Sequence, residues 1–480
     1  MTETPDLPGG SGLPLEPSEA DLHDLLTRAS GFVEHLVSGL RDAPVSWPDL
    51  DEGLHAEIRA TIDEQGGSFD RGLSLMERGL PEGFNTASPG FMAYIPGGGL
   101  ISAGIADLVA CAINRYVGVS PPAPGMVEIE WRVVRWLCDL FGYLPESRGV
   151  LTSGGSMANF SAIVAARNDR LGEDLRGARI YVTDQAHHSI RKAARLAGFG
   201  AEAIRIVPRD ERLRMQPEAL SHAIVEDRRA RLRPACVVAS AGTTNTGAVD
   251  PIEPIADVAR EQDLWLHVDA AYGGFFQMTK RGAASFQGIE RADSITLDPH
   301  KCMFLPYGTG ALVARDGEKL RRAHMETADY LQDLDLGEET IPNFGEYSAE
   351  FTRSFRGLRV WLPLMLHGVA AFRDALNEKL DLAEHMHAAL TETPGLELPW
   401  VAGLTVVPFR VAGEPDVANA ATRQVLDRVN ASRRVFFSTT TIDRLLYIRP
   451  CIVVHRTHRD RIDEAINLIR EATGAVHSQK

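Results

Sequence analysis

The chain of 480 residues is long enough for several packed units, and its 44% hydrophobic and 24% charged residues exclude a disordered, collagen-like or fibrous protein. With 50 basic against 65 acidic side chains the net charge is −15, which disfavours general attraction to nucleic acid or to an anionic membrane. Small-molecule chemistry is the better expectation.

Residues 1–18 are rich in Pro, Gly, Ser and acids, the composition of an untethered terminus or of an arm that orders against a partner. They lack the basic and apolar regions of a secretory signal, so a reducing cytoplasm is the expected home. The five cysteines, Cys111, Cys138, Cys236, Cys302 and Cys451, show neither a disulfide framework nor a zinc spacing. Leu22, Leu25, Leu26, Ala29, Phe32, Val33 and Leu36 recur at helical spacing, and a second amphipathic run follows over 54–62, which predicts a helical arm. Residues 83–106 are nearly uncharged but broken by Asn85, Pro89, Pro96 and Gly97-Gly98-Gly99, so they read as core and turn and not as a membrane span.

From Gly149 strand-like runs at 149–152, 179–183, 204–207, 235–239, 264–268, 294–297 and 310–314 alternate with helical ones. That alternation predicts an α/β fold with a mainly parallel central sheet flanked by helices. Helical periodicity returns over 356–387, and strand patterns at 403–411 and 444–454 precede a closing helix at 459–472. The expected division is an arm over 1–85, a large domain over 86–365 and a small C-terminal α/β domain over 366–480.

Three local patterns carry chemistry. Residues 264–274 form a strand pattern that runs into a carboxylate, with His267, Asp269 and Ala271 on one side of the strand. An acid at the C-terminal end of a strand lies where open α/β sheets bind ligands, although a plain turn would explain it equally. Asp298-Pro-His-Lys301 follows an apolar strand and precedes Cys302-Met-Phe-Leu305. Lys301 is therefore expected to be desolvated, with a lowered pKa that suits it to attack a carbonyl. Thr152-Ser-Gly-Gly-Ser-Met-Ala-Asn159 is a glycine-rich turn between strand and helix, whose backbone N–H groups and Ser156 make a phosphate site. It is neither a P-loop nor a dinucleotide fingerprint. A phosphate cradle, a carboxylate and a nucleophilic amine are the parts needed to hold pyridoxal 5′-phosphate. His455 and His458 read as surface residues, and no metal site is expected.

This order of motifs resembles the group II pyridoxal-phosphate-dependent amino acid decarboxylases, which include the aromatic amino acid, glutamate and histidine enzymes, across roughly residues 80–370. The resemblance implies a type I pyridoxal-phosphate fold, like that of aspartate aminotransferase, and a homodimer with active sites at its interface, the N-terminal arm wrapping the partner. It also implies a carboxy-lyase that converts an L-amino acid to the amine and CO2. Within it, Lys301 looks like the Schiff-base lysine, His300 a neighbour of phosphate or substrate, and Asp269 the partner of the pyridine nitrogen. Ala271 would pack under one ring face and His187 over the other. Gly155, Ser156 and Ser294 match phosphate-binding positions, Thr244 matches a cofactor-contacting threonine, and Asp298 stands where many members have Asn.

Gly90, Tyr116 and Gly118 replace bulkier or more apolar residues of the aromatic enzymes, so the substrate amino acid is left open. In the family a mobile loop preceding Arg353-Ser-Phe-Arg-Gly-Leu-Arg359 carries a tyrosine that returns a proton, and enzymes with phenylalanine there tend to give aldehydes. A gapless count places Phe344 at that position and a three-residue gap places Tyr347 there. Tyr347 as general acid, with amine as product, is the expectation. The rivals are decarboxylation with oxidative deamination to an aldehyde, carbon–carbon cleavage or transamination, and a non-catalytic cofactor-binding homologue. The intact Lys301, Asp269 and His187 argue against the last.

Overall fold

Seven apolar runs between Arg148 and Ala314 assemble one sheet. The computed structural model describes residues 15–47, 50–326 and 341–478, so the first 14 residues of the expected terminus lie outside the described residues. The N-terminal part holds α1 (Glu19–Gly39), β1 (Ser46–Trp47), α2 (Glu52–Arg59), α3 (Phe69–Gly79), β2 (Gly83–Phe84), α4 (Ile101–Ile113) and α5 (Pro124–Leu140). Ser18 opens α1 with a capping box, accepting from the Asp21 N–H while the Asp21 carboxylate turns back to Ser18. The helix shows the predicted amphipathic spacing, yet no described residue of α1 is buried.

The strands that follow are β3 (Arg148–Thr152), β4 (Ala178–Val182), β5 (Ile204–Ile206), β6 (Arg233–Ser240), β7 (Trp265–Asp269), β8 (Ser294–Leu297) and β9 (Gly310–Ala314). Their order in the sheet is β3-β9-β8-β7-β6-β4-β5. Only β9 runs against the rest, pairing antiparallel with both β3 and β8. The helices α6 (Gly155–Arg170), α7 (His188–Leu196), α8 (Pro217–Arg229), α9 (Ile252–Glu261), α10 (Lys280–Ser285), α11 (Pro299–Cys302) and α12 (Gly317–His324) connect them. Strands buried on both faces need continuous apolar sequence, and β6 and β7 supply it. The large core runs from Ala103 to Leu380, takes in these strands, and also receives Val406, Cys451 and Val453 from the C-terminal part.

Helix α13 (Arg356–Thr391) spans two cores and breaks at Gly368, whose φ of 73° no helix accommodates. Its first turns pack on the large core, while Leu382, Met386 and Leu390 join a second core with α14 (Pro415–Ala431) and α15 (Arg459–His477). Where two long strands were expected at the C-terminus, the chain forms short pairs: β10 (Leu396–Glu397) with β11 (Arg410–Val411), and β12 (Ser438–Ile442) with β13 (Leu445–Arg449). Among the described residues no helix is long and apolar enough to cross a membrane.

Candidate active site

The C-terminal ends of β6, β7 and β8 and the N-terminus of α6 enclose a cavity of about 290 Å³. The volume is at the lower end of small-ligand sites. Gly155 and Ser156 form the first turn of α6 and line it; Gly154, ahead of them, places no side chain on the open N–H groups. A 16-residue helix ending there presents both those donors and the positive end of its dipole. Gly155 has no space for a side chain, since a Cβ would lie 2.8 Å from Asp298 Oδ2 and 3.1 Å from Ala271 Cβ.

Lys301 projects from the turn after β8, and its Nζ lies 2.8 Å from Asp298 Oδ2. Burial pushes the Lys301 ammonium down, but the charge and hydrogen bond of Asp298, with Asp269 further off, outweigh it and move the pKa up. The expected lowering is thus corrected: a carboxylate beside the amine stabilises its charge more than desolvation destabilises it. Asp298 Oδ1 is buried with no hydrogen-bond partner among the described residues. His300 donates from Nδ1 to the Thr309 carbonyl at 2.6 Å, which leaves Nε2 free of a proton while burial holds the ring below its ordinary pKa.

Asp269 ends β7, and its carboxylate accepts from Asn159 Nδ2 at 3.0 Å and from the Ala271 N–H at 3.2 Å. His187 precedes α7, and its Nδ1 faces Ser189 Oγ at 2.7 Å. Burial lowers its pKa against the raising effect of Asp269. Ala271 and Thr244 also line the cavity, and the Thr244 carbonyl is held by the buried Arg449 guanidinium.

Several residues singled out in the sequence do not line this cavity. Ser294 does not line the cavity: it begins β8, opposite His267, and bonds to His267 Nδ1 and Trp265 Nε1 below the site. Tyr347 and Phe344 do not line it either; both rings are buried in the large core, Phe344 beneath the Arg353 guanidinium at 5.1 Å. Gly90, Tyr116 and Gly118 also lie off the cavity, Gly90 against the Arg434 carbonyl and the other two against the Phe351 carbonyl. Sequence reasoning missed Asn159, Ser189 and Ser240, which do line it. For Asn159 a signal existed, one further turn along the helix from the glycine pair. Among the described residues no cluster of His, Cys, Asp or Glu could hold a metal ion.

An uncapped helix N-terminus, a buried carboxylate atom without a partner and a lysine facing the same cavity as Asp269 fit pyridoxal 5′-phosphate. Fold and site together define a pyridoxal-phosphate enzyme of the α/β class. The family model described as the pyridoxal-dependent decarboxylase conserved domain matches residues 54–412. An aromatic-L-amino-acid decarboxylase of Bacillus atrophaeus is 33% identical, over 92% of this chain and 93% of its own. A phenylacetaldehyde synthase of Arabidopsis thaliana is 26% identical over 96% and 98%. The crystal structure of Oryza sativa TDC with PLP and tryptamine superposes with a TM-score of 0.91, at 27% identity, covering 97% of this chain and 99% of that one. The chain belongs to the pyridoxal-dependent decarboxylase family. It is a carboxy-lyase that uses pyridoxal phosphate to convert an L-amino acid to its amine.

Proposed function

We propose that the substrate is an aromatic L-amino acid and that Lys301, Asp269 and His187 carry the reaction. The observation that supports the residue roles is their convergence on one cavity from three separate segments. The aromatic substrate is supported by the Bacillus relative and the Oryza structure. Pyridoxal phosphate supplies an electron-accepting ring for the electron pair left on Cα when CO2 departs. Lys301 would supply the amine that holds the cofactor through its aldehyde, with Asp298 2.8 Å from Nζ to keep it in place. The first turn of α6 with Ser156 and His300 would hold the phosphate. Asp269, fixed by Asn159 and the Ala271 N–H, would keep a proton on the ring nitrogen. His187 and Ala271 would bound the ring plane.

The same reading makes the protein a homodimer. Ile101, Ile105, Leu108, Val109 and Ile113 form one exposed stripe along α4, and Met365 and Leu366 of α13 are exposed as well. Such faces, together with the unburied α1, support a second copy as their cover. The proposed division into arm, large domain and small domain at 85 and 365 is supported at its second boundary by the core that Leu382, Met386 and Leu390 form with α14 and α15, while Met92 joins that core and Cys451 and Val453 join the large one. A reducing, cytoplasmic location is supported by five free cysteines.

The test is a panel of the twenty amino acids plus dihydroxyphenylalanine, measuring CO2, amine, aldehyde and peroxide. Aromatic substrates should turn over fastest. Preference for glutamate or histidine would overturn the substrate, and full activity in Asp269→Asn would overturn the assigned role.

A further inference from the structure

Asn159 lies between the two groups that the proposed function sets around the cofactor ring. It is 1% exposed, in the second turn of α6. Its Nδ2 donates to Asp269 Oδ2 at 3.0 Å and to Ser189 Oγ at 2.9 Å, and its Oδ1 faces His267 Nε2 at 2.9 Å. Asp269 as a carboxylate accepts and cannot donate, so the amide can point only this way round. His267 therefore carries its proton on Nε2, with Thr296 Oγ1 at 3.4 Å from the same atom. His267 Nδ1 then takes the hydroxyl proton of Ser294 at 2.8 Å, and Ser294 Oγ accepts from Trp265 Nε1 at 2.9 Å. On the other side Ser189 Oγ, already accepting from Asn159, gives its proton to His187 Nδ1 at 2.7 Å. The Ser189 N–H points at the same nitrogen from 3.3 Å.

Every donor in this chain points the same way, from Trp265 through Ser294 and His267 to Asn159, where it divides toward Asp269 and toward Ser189 and His187. We propose that Asn159 is a positioning residue whose amide aims the Asp269 carboxylate and, through Ser189, holds neutral His187 with its proton on Nε2. One buried side chain thus orders both groups facing the ring. The inference rests on the roles given above to Asp269 and His187. Burial, which pushes His267 down to about 4 and lowers His187, keeps both rings in the neutral form that the chain requires.

The charged and titratable groups that face this position are Asp269 and His267 from β7, His187 and His188 at the start of α7, and Asp298 and Lys301 beyond β8. They are shared by all variants, so ratios to the unmutated protein isolate position 159. The experiment titrates pyridoxal phosphate into cofactor-stripped protein between pH 6 and 8. Asn159→Ala should bind at least tenfold more weakly at every pH. Asn159→Asp sets two carboxylates about 3 Å apart, and such a pair takes up one proton on acidification, which recreates a donor to Asp269. Its deficit should shrink as pH falls, whereas that of Asn159→Ala stays constant. Asn159→Asp keeps the native shape, so the comparison stands even if Asn159→Ala fails to fold. Unchanged affinity in Asn159→Ala, or a deficit in Asn159→Asp that does not vary with pH, overturns the proposal. Asp269→Asn, assayed for turnover alongside, separates the two readings: if it is inactive while the position 159 variants behave as the unmutated protein, only the role of Asn159 falls.

Discussion

Removing the titration of His267 should flatten the acid limb of stability. This ring is fully buried, and its pKa falls from 6.5 to about 4 because burial penalises the charged form. The unfolded chain takes up a proton near pH 6.5 that the folded protein refuses until about pH 4. Stability is therefore complete above pH 6.5 and is lost as pH falls through that window. The linkage gives a loss of about 1 kcal/mol at pH 5.5 and about 2–3 kcal/mol at pH 4.5. His267→Gln keeps a donor near Asn159 but cannot titrate there. Guanidinium unfolding of both proteins at pH 7, 5.5 and 4.5, with saturating pyridoxal phosphate, measures the difference and cancels the other titrating groups. The unmutated protein should lose about 2–3 kcal/mol relative to the variant by pH 4.5. Parallel stability curves would refute the reasoning, because they would mean that His267 binds its proton equally in both states.

Gly155→Ala places a methyl 2.8 Å from an Asp298 carboxylate that Lys301 already holds, an overpacking of about 1–3 kcal/mol. Cofactor affinity should fall by about 5- to 150-fold in a direct titration, and an unchanged Kd would show that the first turn of α6 is not the cradle. Tyr347→Phe should leave the amine yield unchanged, since that ring packs in the core away from the cavity; a rise in aldehyde and peroxide would place Tyr347 in the reaction after all. Ile105→Asp combined with Leu108→Asp, at positions 52% and 58% exposed, should sediment as a monomer, and an intact dimer would remove α4 from the interface.

The central sheet was legible because strands buried on both faces must be short apolar runs, and 294–297 and 310–314 are strands to the residue. The elements that line the cavity were legible for a related reason. Lys301, Asp269 and the Gly155-Ser156 turn each sit where an apolar strand or turn meets polar sequence, a signal contained within about ten residues. Helix α4 was missed because it is apolar on the side facing α13 and on the side left exposed, so no amphipathic period marks it. Ser294 looked like a site residue from its motif, but strand register puts it beside His267, at the entry of β8, while the site lies at the exits of the strands. Phe344 and Tyr347 could not be separated by counting, and tertiary packing takes both away from the cavity by burying their rings in the large core, Phe344 against Arg353, which pairs with Glu130 there. The Asn159 relay is the clearest case of what the fold alone decides. Its partners are 30, 108 and 110 residues away in the chain, and a hydrogen bond depends on distance and direction in space, which no local pattern of sequence records.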